Sequence, residues 1–249
     1  VIAALPMYDR PEVAQANDAF WHSIRQAVGY GPSDLTRDMG IWDIWQNPNL
    51  LLSQTCGYPF RARLHGQVTL IGTPDYGVPD CPAGYYNSVF IARANDPRHV
   101  LNDFHDASFA YNEPMSQSGW AAPLSHMAAQ NLTFARHVQS GGHVKSAQMV
   151  AENQTDIAAI DAVTWAMIKK YDGFASALKV VGRTPPTPGL PFIAAVGVNK
   201  SKLFSALGKA LLSLSAHTRD ALQIKAVIDI PAAHYLTIPT PDPPDQRVS

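Results

Sequence analysis

The chain has 249 residues, 46% of them hydrophobic and 16% charged, a globular composition rather than a disordered one. Its 19 basic and 20 acidic residues leave a formal net charge of −1, which gives no electrostatic footprint for nucleic acid or an anionic membrane. No apolar run approaches the roughly 20 residues that span a bilayer, and the length suits one large domain or two lobes of about 100 to 150 residues.

In chain order, "VIAALPMY" reads as a strand ending at Tyr8, and "RPEVAQANDAFWHSIRQAVGYG" as an amphipathic helix stopped by Gly29 and Gly31. The first residues lack a basic region followed by a long apolar segment, which fits either a cytosolic protein or a mature chain whose leader has been removed. Asn49 to Thr55, Gly66 to Tyr76 and Tyr85 to Arg93 are apolar or alternating runs bounded by Gly and Pro, and all three read as strands. A strand "ASFAYN" from Ala107 then leads to a helix from about Gln117, and a second helix starts at His143. Strand Asp156 to Ile160, helix "DAVTWAMIKKY" and strand Leu178 to Thr184 follow, an alternation that suits a mainly parallel open sheet. After the proline-rich "PPTPGLPFIAAV" comes a strand at Phe192, and "NKSKLFSALGKALLSLS" and "HTRDALQIKAVIDI" read as two packed helices. The tail "IPTPDPPDQRVS" reads as an extended end.

"RANDP" from Arg93 and "TPPTPGLP" from Thr184 look like crossings. They divide the chain into a discontinuous lobe one, residues 1–94 with 186–249, and a lobe two, residues 95–185. Two α/β lobes joined by two strands place a ligand in a cleft, where the carboxyl ends of strands converge.

The polar residues that follow the strands are donors for an anion, with one imidazole and one carboxylate among them. They are Tyr8; Gln54 and Thr55; Ser116, Gln117, Ser118 and Gly119; His143; and Asp161. A helix start suits an anion, because its first N–H groups lack partners and carry partial positive charge. Each residue also has a plainer role open to it. Asn112 or Ser116 serves as a helix cap, Asp161 as an N-cap, Tyr8 as a half-buried aromatic and His143 as an exposed helix-start residue. Cys56 and Cys81 fit one disulfide or two unrelated thiols equally well. The nine histidines form no pair or cluster with metal-ligand spacing, so neither a metal nor any other cofactor is expected.

The order of these pieces carries a resemblance. "GGHVKSAQMVAENQTDIAAIDAVTW", "NEPMSQSGW" and "YYNSVFIAR" resemble segments of the phosphate/phosphonate-type periplasmic substrate-binding proteins of ABC importers, and the likeness runs from "VIAALPMYDRPE" through "PTPGLPFIAAV". It implies a type II periplasmic-binding-protein fold, an α/β architecture of two lobes on a two-strand hinge. It further implies a periplasmic, monomeric binder that works without chemistry, with an ABC permease as its membrane partner and no nucleic acid. Ser116, Ser118 and Gly119, with Gln117 between them, would hold the anionic head, and His143 would contact it. Tyr86 would line the cleft, Asp161 would meet a cationic or hydroxyl part of the ligand, and Tyr8 would cover it. "LLLSQTCGYPFRARLHG" departs from the better-known members, and the periplasmic setting implies a Cys56–Cys81 disulfide. Two rivals stand beside this reading. One is a thiol enzyme using Cys56 with His143 and Asp161; the other is a binder of a non-phosphorus anion on the same fold.

Overall fold

The computed structural model describes residues 1–242 and 244; residues 243 and 245–249 of the proline-rich tail lie outside the described residues. From the N-terminus come β1 (Ile2–Ala4), α1 (Pro11–Val28), α2 (Ile41–Trp45), β2 (Leu50–Gln54), α3 (Gly57–Pro59), β3 (Val68–Asp75) and β4 (Tyr85–Tyr86). Next are β5 (Ser88–Arg93), β6 (Ser108–Tyr111), α4 (Ala122–Ala128), β7 (Arg136–Gln139), α5 (His143–Ala151), β8 (Ile157–Asp161), α6 (Ala162–Tyr171) and β9 (Leu178–Arg183). The chain ends through β10 (Thr187–Pro188), β11 (Phe192–Ala195), α7 (Lys200–Ser213), α8 (Ala216–Leu222), β12 (Ala226–Ile228) and α9 (Ala232–Leu236). Contacts divide it into a first unit, Val1–Tyr85 with Pro188–Thr237, and a second, Tyr86–Thr187 with the C-terminal segment from Ile238. The chain therefore passes between units three times, and the first two crossings, β4 and β10, pair with each other.

The first unit is built on a sheet of order β1-β2-β11-β3-β12, in which β1 and β2 are parallel and β11 is antiparallel to both its neighbours. Helix α1 shows why its sequence is helical. Pro11 stands in the first turn, where its missing N–H costs nothing, and Glu12 and Arg25 complement the dipole at either end. Val13, Ala16, Phe20, Trp21, Ile24 and Val28 form the buried face, and Gly29 closes the helix at φ 90°. The expected last helix, "HTRDALQIKAVIDI", breaks in two. Gln223 adopts φ 59° and ends α8, the β-branched Val227 and Ile228 pair antiparallel with β3, and the Lys225 N–H donates to the Asp75 carbonyl. Behind β12, α9 buries Tyr235, whose hydroxyl donates to the Gly189 carbonyl (3.0 Å) and shares a 2.5 Å hydrogen bond with Thr73 Oγ1.

The second unit carries a sheet of order β7-β6-β8-β5-β9. It is mixed rather than mainly parallel: β6 runs parallel to β7 and β8, while β5 is antiparallel to β8 and β9. β8 is buried along its whole length, which is why "IAAID" is nearly continuous in apolar residues. Val89, Ile91, Ala110, Ala158 and Ile160 of the sheet pack with Ala147 and Val150 of α5 and with Trp165 and Ile168 of α6. The segment after β5 is held by charge. Arg98 Nη2 lies 2.7 Å from Asp96 Oδ2 and 3.0 Å from Asp156 Oδ1, and Asp156 Oδ2 accepts from Ser108 Oγ and N.

The disulfide implied by the resemblance is not formed: Cys56 and Cys81 are separate thiols, both partly exposed. Cys56 precedes α3 as its N-cap residue, and the loop around Cys81 is pinned without a covalent link, because Asp75 Oδ1 accepts from Gly77 N (2.9 Å) and Gly84 N (3.2 Å).

Because Tyr235 is fully packed and its hydroxyl has two partners, Tyr235→Phe is expected to lower stability by about 1–2 kcal/mol through the stranded partners alone. Urea denaturation checks this; a loss within 0.3 kcal/mol or so would mean that the hydroxyl contributes nothing.

Candidate functional site

In the second unit β6 and β7 are in parallel register from Ser108↔Arg136 to Tyr111↔Gln139. The pairing continues past their ends, where Ser140 N donates to Tyr111 O (2.8 Å) and Gly141 N to Asn112 O (3.0 Å). Two helix starts are thus brought side by side, the turn Ser116–Gly119 after β6 and His143 after β7.

The first is a wide turn. Ser116 is the N-cap, its Oγ accepting from Gly119 N at 2.9 Å, and Gln117–Ala121 form one π-helical turn before α4. Ser116, Gln117 and Ser118 are all buried. Gly119 is required by a close approach: a Cβ there would run into Asn112 Oδ1 and lie 3.2 Å from His143 Cε1. Asn112 Oδ1 is buried against this backbone without a hydrogen-bond partner. The second start has no side-chain cap, since Gly142 holds the N-cap position. Ser140 Oγ instead braces the turn, 2.7 Å from Ser146 Oγ and 2.9 Å from the Gly142 carbonyl.

The two starts meet in a 2.9 Å hydrogen bond between Ser118 Oγ and His143 Nε2. His143 as a residue keeps intermediate exposure, but its imidazole is withdrawn from water. Desolvation pushes its pKa down to about 4, the Ala159 backbone opposing this only in part, so at neutral pH the ring is uncharged.

Of the other sequence-derived candidates in this unit, Tyr86 is buried at 2% exposure where the chain enters it. Asp161 acts as a cap: its Oδ1 accepts from Val163 N (2.7 Å) and Thr164 N (3.0 Å). Its Oδ1 is therefore engaged at the start of α6, the plainer of the two roles open to it.

Tyr8, Gln54 and Thr55 belong to the first unit and gather there. Gln54 Nε2 donates to Tyr76 Oη (3.2 Å) and to the Leu190 carbonyl (3.1 Å), and Tyr76 meets the Tyr8 ring edge-on at 5.1 Å. Thr55 N donates to Pro191 O, while its Oγ1 is buried with no partner. Sequence reasoning missed Tyr76 and treated Asn112 only as a cap candidate. The turn residues around Tyr76 hide its partnership with Tyr8, and no sequence spacing reveals that Asn112 presses on Gly119. Among the described residues no three His, Cys, Asp or Glu side chains gather as a metal site, and no helix is long and apolar enough to cross a membrane.

The structure is similar to PhnD1 from Prochlorococcus marinus in complex with methylphosphonate, with TM-score 0.74, 16% identity and 94% and 93% of the two chains covered. It is also similar to the binding protein component of an ABC phosphonate transporter from Pseudomonas aeruginosa (TM-score 0.69, 18% identity, 92% and 80% covered). A further similar structure, XAC2383 from Xanthomonas citri bound to chloride, has TM-score 0.69 and 13% identity, with 94% and 92% covered. No curated protein matches. The fold is that of the two-lobed, type II periplasmic binding proteins. Residues 49–235 match the family of ABC transporter, phosphonate, periplasmic substrate-binding proteins, and the chain belongs to that family. It is accordingly a solute-binding component that works with an ABC permease, not an enzyme, and its family places it in the periplasm. The thiol-enzyme reading is thereby set aside.

Two outcomes follow from this geometry. Gly119→Ala is expected to cost about 1–3 kcal/mol by overpacking, and much less in an Asn112→Ala background. A double-mutant cycle in urea measures this, and additive losses would place the collision elsewhere. For His143, the folded-state pKa lies below the ordinary 6.5, so the unfolded chain binds the extra proton as pH falls from 6.5 to about 4. Stability present above pH 6.5 is lost across that window, by roughly 3 kcal/mol at most, and His143→Asn should lack this part of the loss.

Proposed function

We propose that the chain binds a small phosphorus oxyanion, a phosphonate, phosphate or phosphate ester, on the cradle formed by Ser116, Gln117, Ser118, Gly119 and His143, and delivers it as a monomer to its permease. The observation that carries this reading is the 2.9 Å Ser118–His143 bond, which joins two helix starts. A tetrahedral oxyanion needs several convergent donors, and helix-start N–H groups with serine hydroxyls supply them without a formal cation. An uncharged His143 suits this arrangement, because a protonated imidazole would be disfavoured at the positive end of α5 before any anion arrives. The lack of a side chain at Gly119 lets Asn112 and His143 pack close against this turn, which holds the two helix starts of the cradle together. Asp161 holds the start of α6 through its Oδ1.

The test is a thermal-shift panel of phosphate, methylphosphonate, 2-aminoethylphosphonate, phosphate esters and dicarboxylates, with Ser118→Ala beside the unaltered chain. A specific ligand at a hundred times its dissociation constant adds about 2.7 kcal/mol to stability. A phosphorus oxyanion should raise the midpoint and Ser118→Ala should lose most of the rise. A carboxylate that stabilises both proteins equally would sink the reading.

A further inference from the structure

Trp120 follows the serine-glycine turn by one residue and is 3% exposed. Its ring packs 4.8 Å from Tyr111 of β6 and 5.0 Å from His137 of β7. His137 in turn sets its edge against Phe109 and Phe134, which stack on each other at 4.4 Å. The indole N–H finds its acceptor far along the chain: Nε1 donates to the backbone carbonyl of Asp242 at 2.9 Å, across 122 positions. Pro239, Thr240 and Pro241 also have interaction partners, and the C-terminal segment from Ile238 groups with this unit.

We propose that Ile238–Asp242 is a strap that docks on Trp120 and fixes the turn Ser116–Ala121, so that the C-terminal segment sets how well the anion cradle is formed. The inference rests on the cradle reading above. A buried indole keeps a defined place when its N–H has an acceptor, and here no residue of β6, β7 or α4 fills that role; the tail carbonyl does. The turn it secures is a π-helical one, an uncommon geometry that depends on its surroundings. Trp120 N donates to Ser116 O at 3.2 Å and Ala121 N to the same oxygen at 2.9 Å, so moving Trp120 moves the cap residue of the cradle. The strap's composition suits the task. Prolines 239 and 241 restrict the backbone before docking, which reduces the ordering entropy that an ordinary tail would lose. Trp120 is thus a positioning residue, acting on the ligand through Ser116, Ser118 and Gly119.

The experiment compares the full chain with a version ending at Thr237, with Trp120→Phe, and with both changes together. Hydrogen exchange reports on amides 118–121 and on β5 and β8, and calorimetry measures methylphosphonate affinity. Both single changes should speed exchange at 118–121 by about tenfold while leaving β5 and β8 unchanged. Both should weaken methylphosphonate by about fivefold, and the double change should add little to either one. Unchanged exchange at 118–121, acceleration spread evenly over the unit in both variants, or a loosened turn with undiminished affinity would each overturn the proposal. If methylphosphonate fails to bind even the full chain, the phosphorus reading fails. The exchange pattern still decides whether the strap holds the turn.

Discussion

Two parallel strands that end level with each other force whatever follows them into the same neighbourhood. β6 and β7 do this in the second unit, and because each is followed by a helix, two helix starts, whose first N–H groups lack intrahelical partners, become neighbours. The other features of the candidate site follow from that constraint. Ser116 consumes one stray N–H, Gly119 keeps the space between the helix starts narrow, and Ser118 ties one start to the other through His143. Asn112, one residue beyond β6, uses its backbone carbonyl to extend the strand pairing and its side chain to close the wall behind Gly119.

Neutrality is the electrostatic theme of the cradle. The chain carries almost no net charge, and the imidazole beside Ser118 is held uncharged by its own burial. The strong ion pairs of this unit lie elsewhere, around Asp96, Arg98 and Asp156, where they secure the segment between β5 and β6. On the proposed reading, attraction for an anion would come from oriented N–H dipoles and hydroxyls, which are directional, rather than from a free cation, which is not. Selectivity in such a site would depend on geometry, which the proposed cradle draws from one π-helical turn and the start of α5.

Much of the architecture is legible in the sequence where local preference and tertiary packing agree. Helix α1 has its proline, its apolar stripe and its glycine stop in the expected places, and the turn at "SQSG" announces itself by composition. The reading fails where partners lie far along the chain. "KAVIDI" has enough helical character next to α8 to be read as its continuation, and only the exposed edge of β3 makes it a strand. β7 escapes notice because an edge strand reading "RHVQ" has no apolar alternation. Asp161 shows the limit for sites: an aspartate after a strand and before a helix has one signature for capping and for ligand contact, and here its Oδ1 caps. The separate thiols at Cys56 and Cys81 show the same limit for covalent links, since an even cysteine count says nothing about distance.

The insertion of β11 between β2 and β3 has a consequence for how the protein is made. Every strand of the second unit's sheet lies within one uninterrupted stretch, so that sheet can be complete once residue 183 has emerged into the compartment where the chain folds. The first unit's sheet must wait: until Phe192–Ala195 emerge, the fully buried face of Leu50–Gln54 and its unpaired backbone edge have nothing to pair with. The first unit's strands therefore come early in the chain but find their last partner late, and for that interval their open edges are the exposed hazard of the emerging chain.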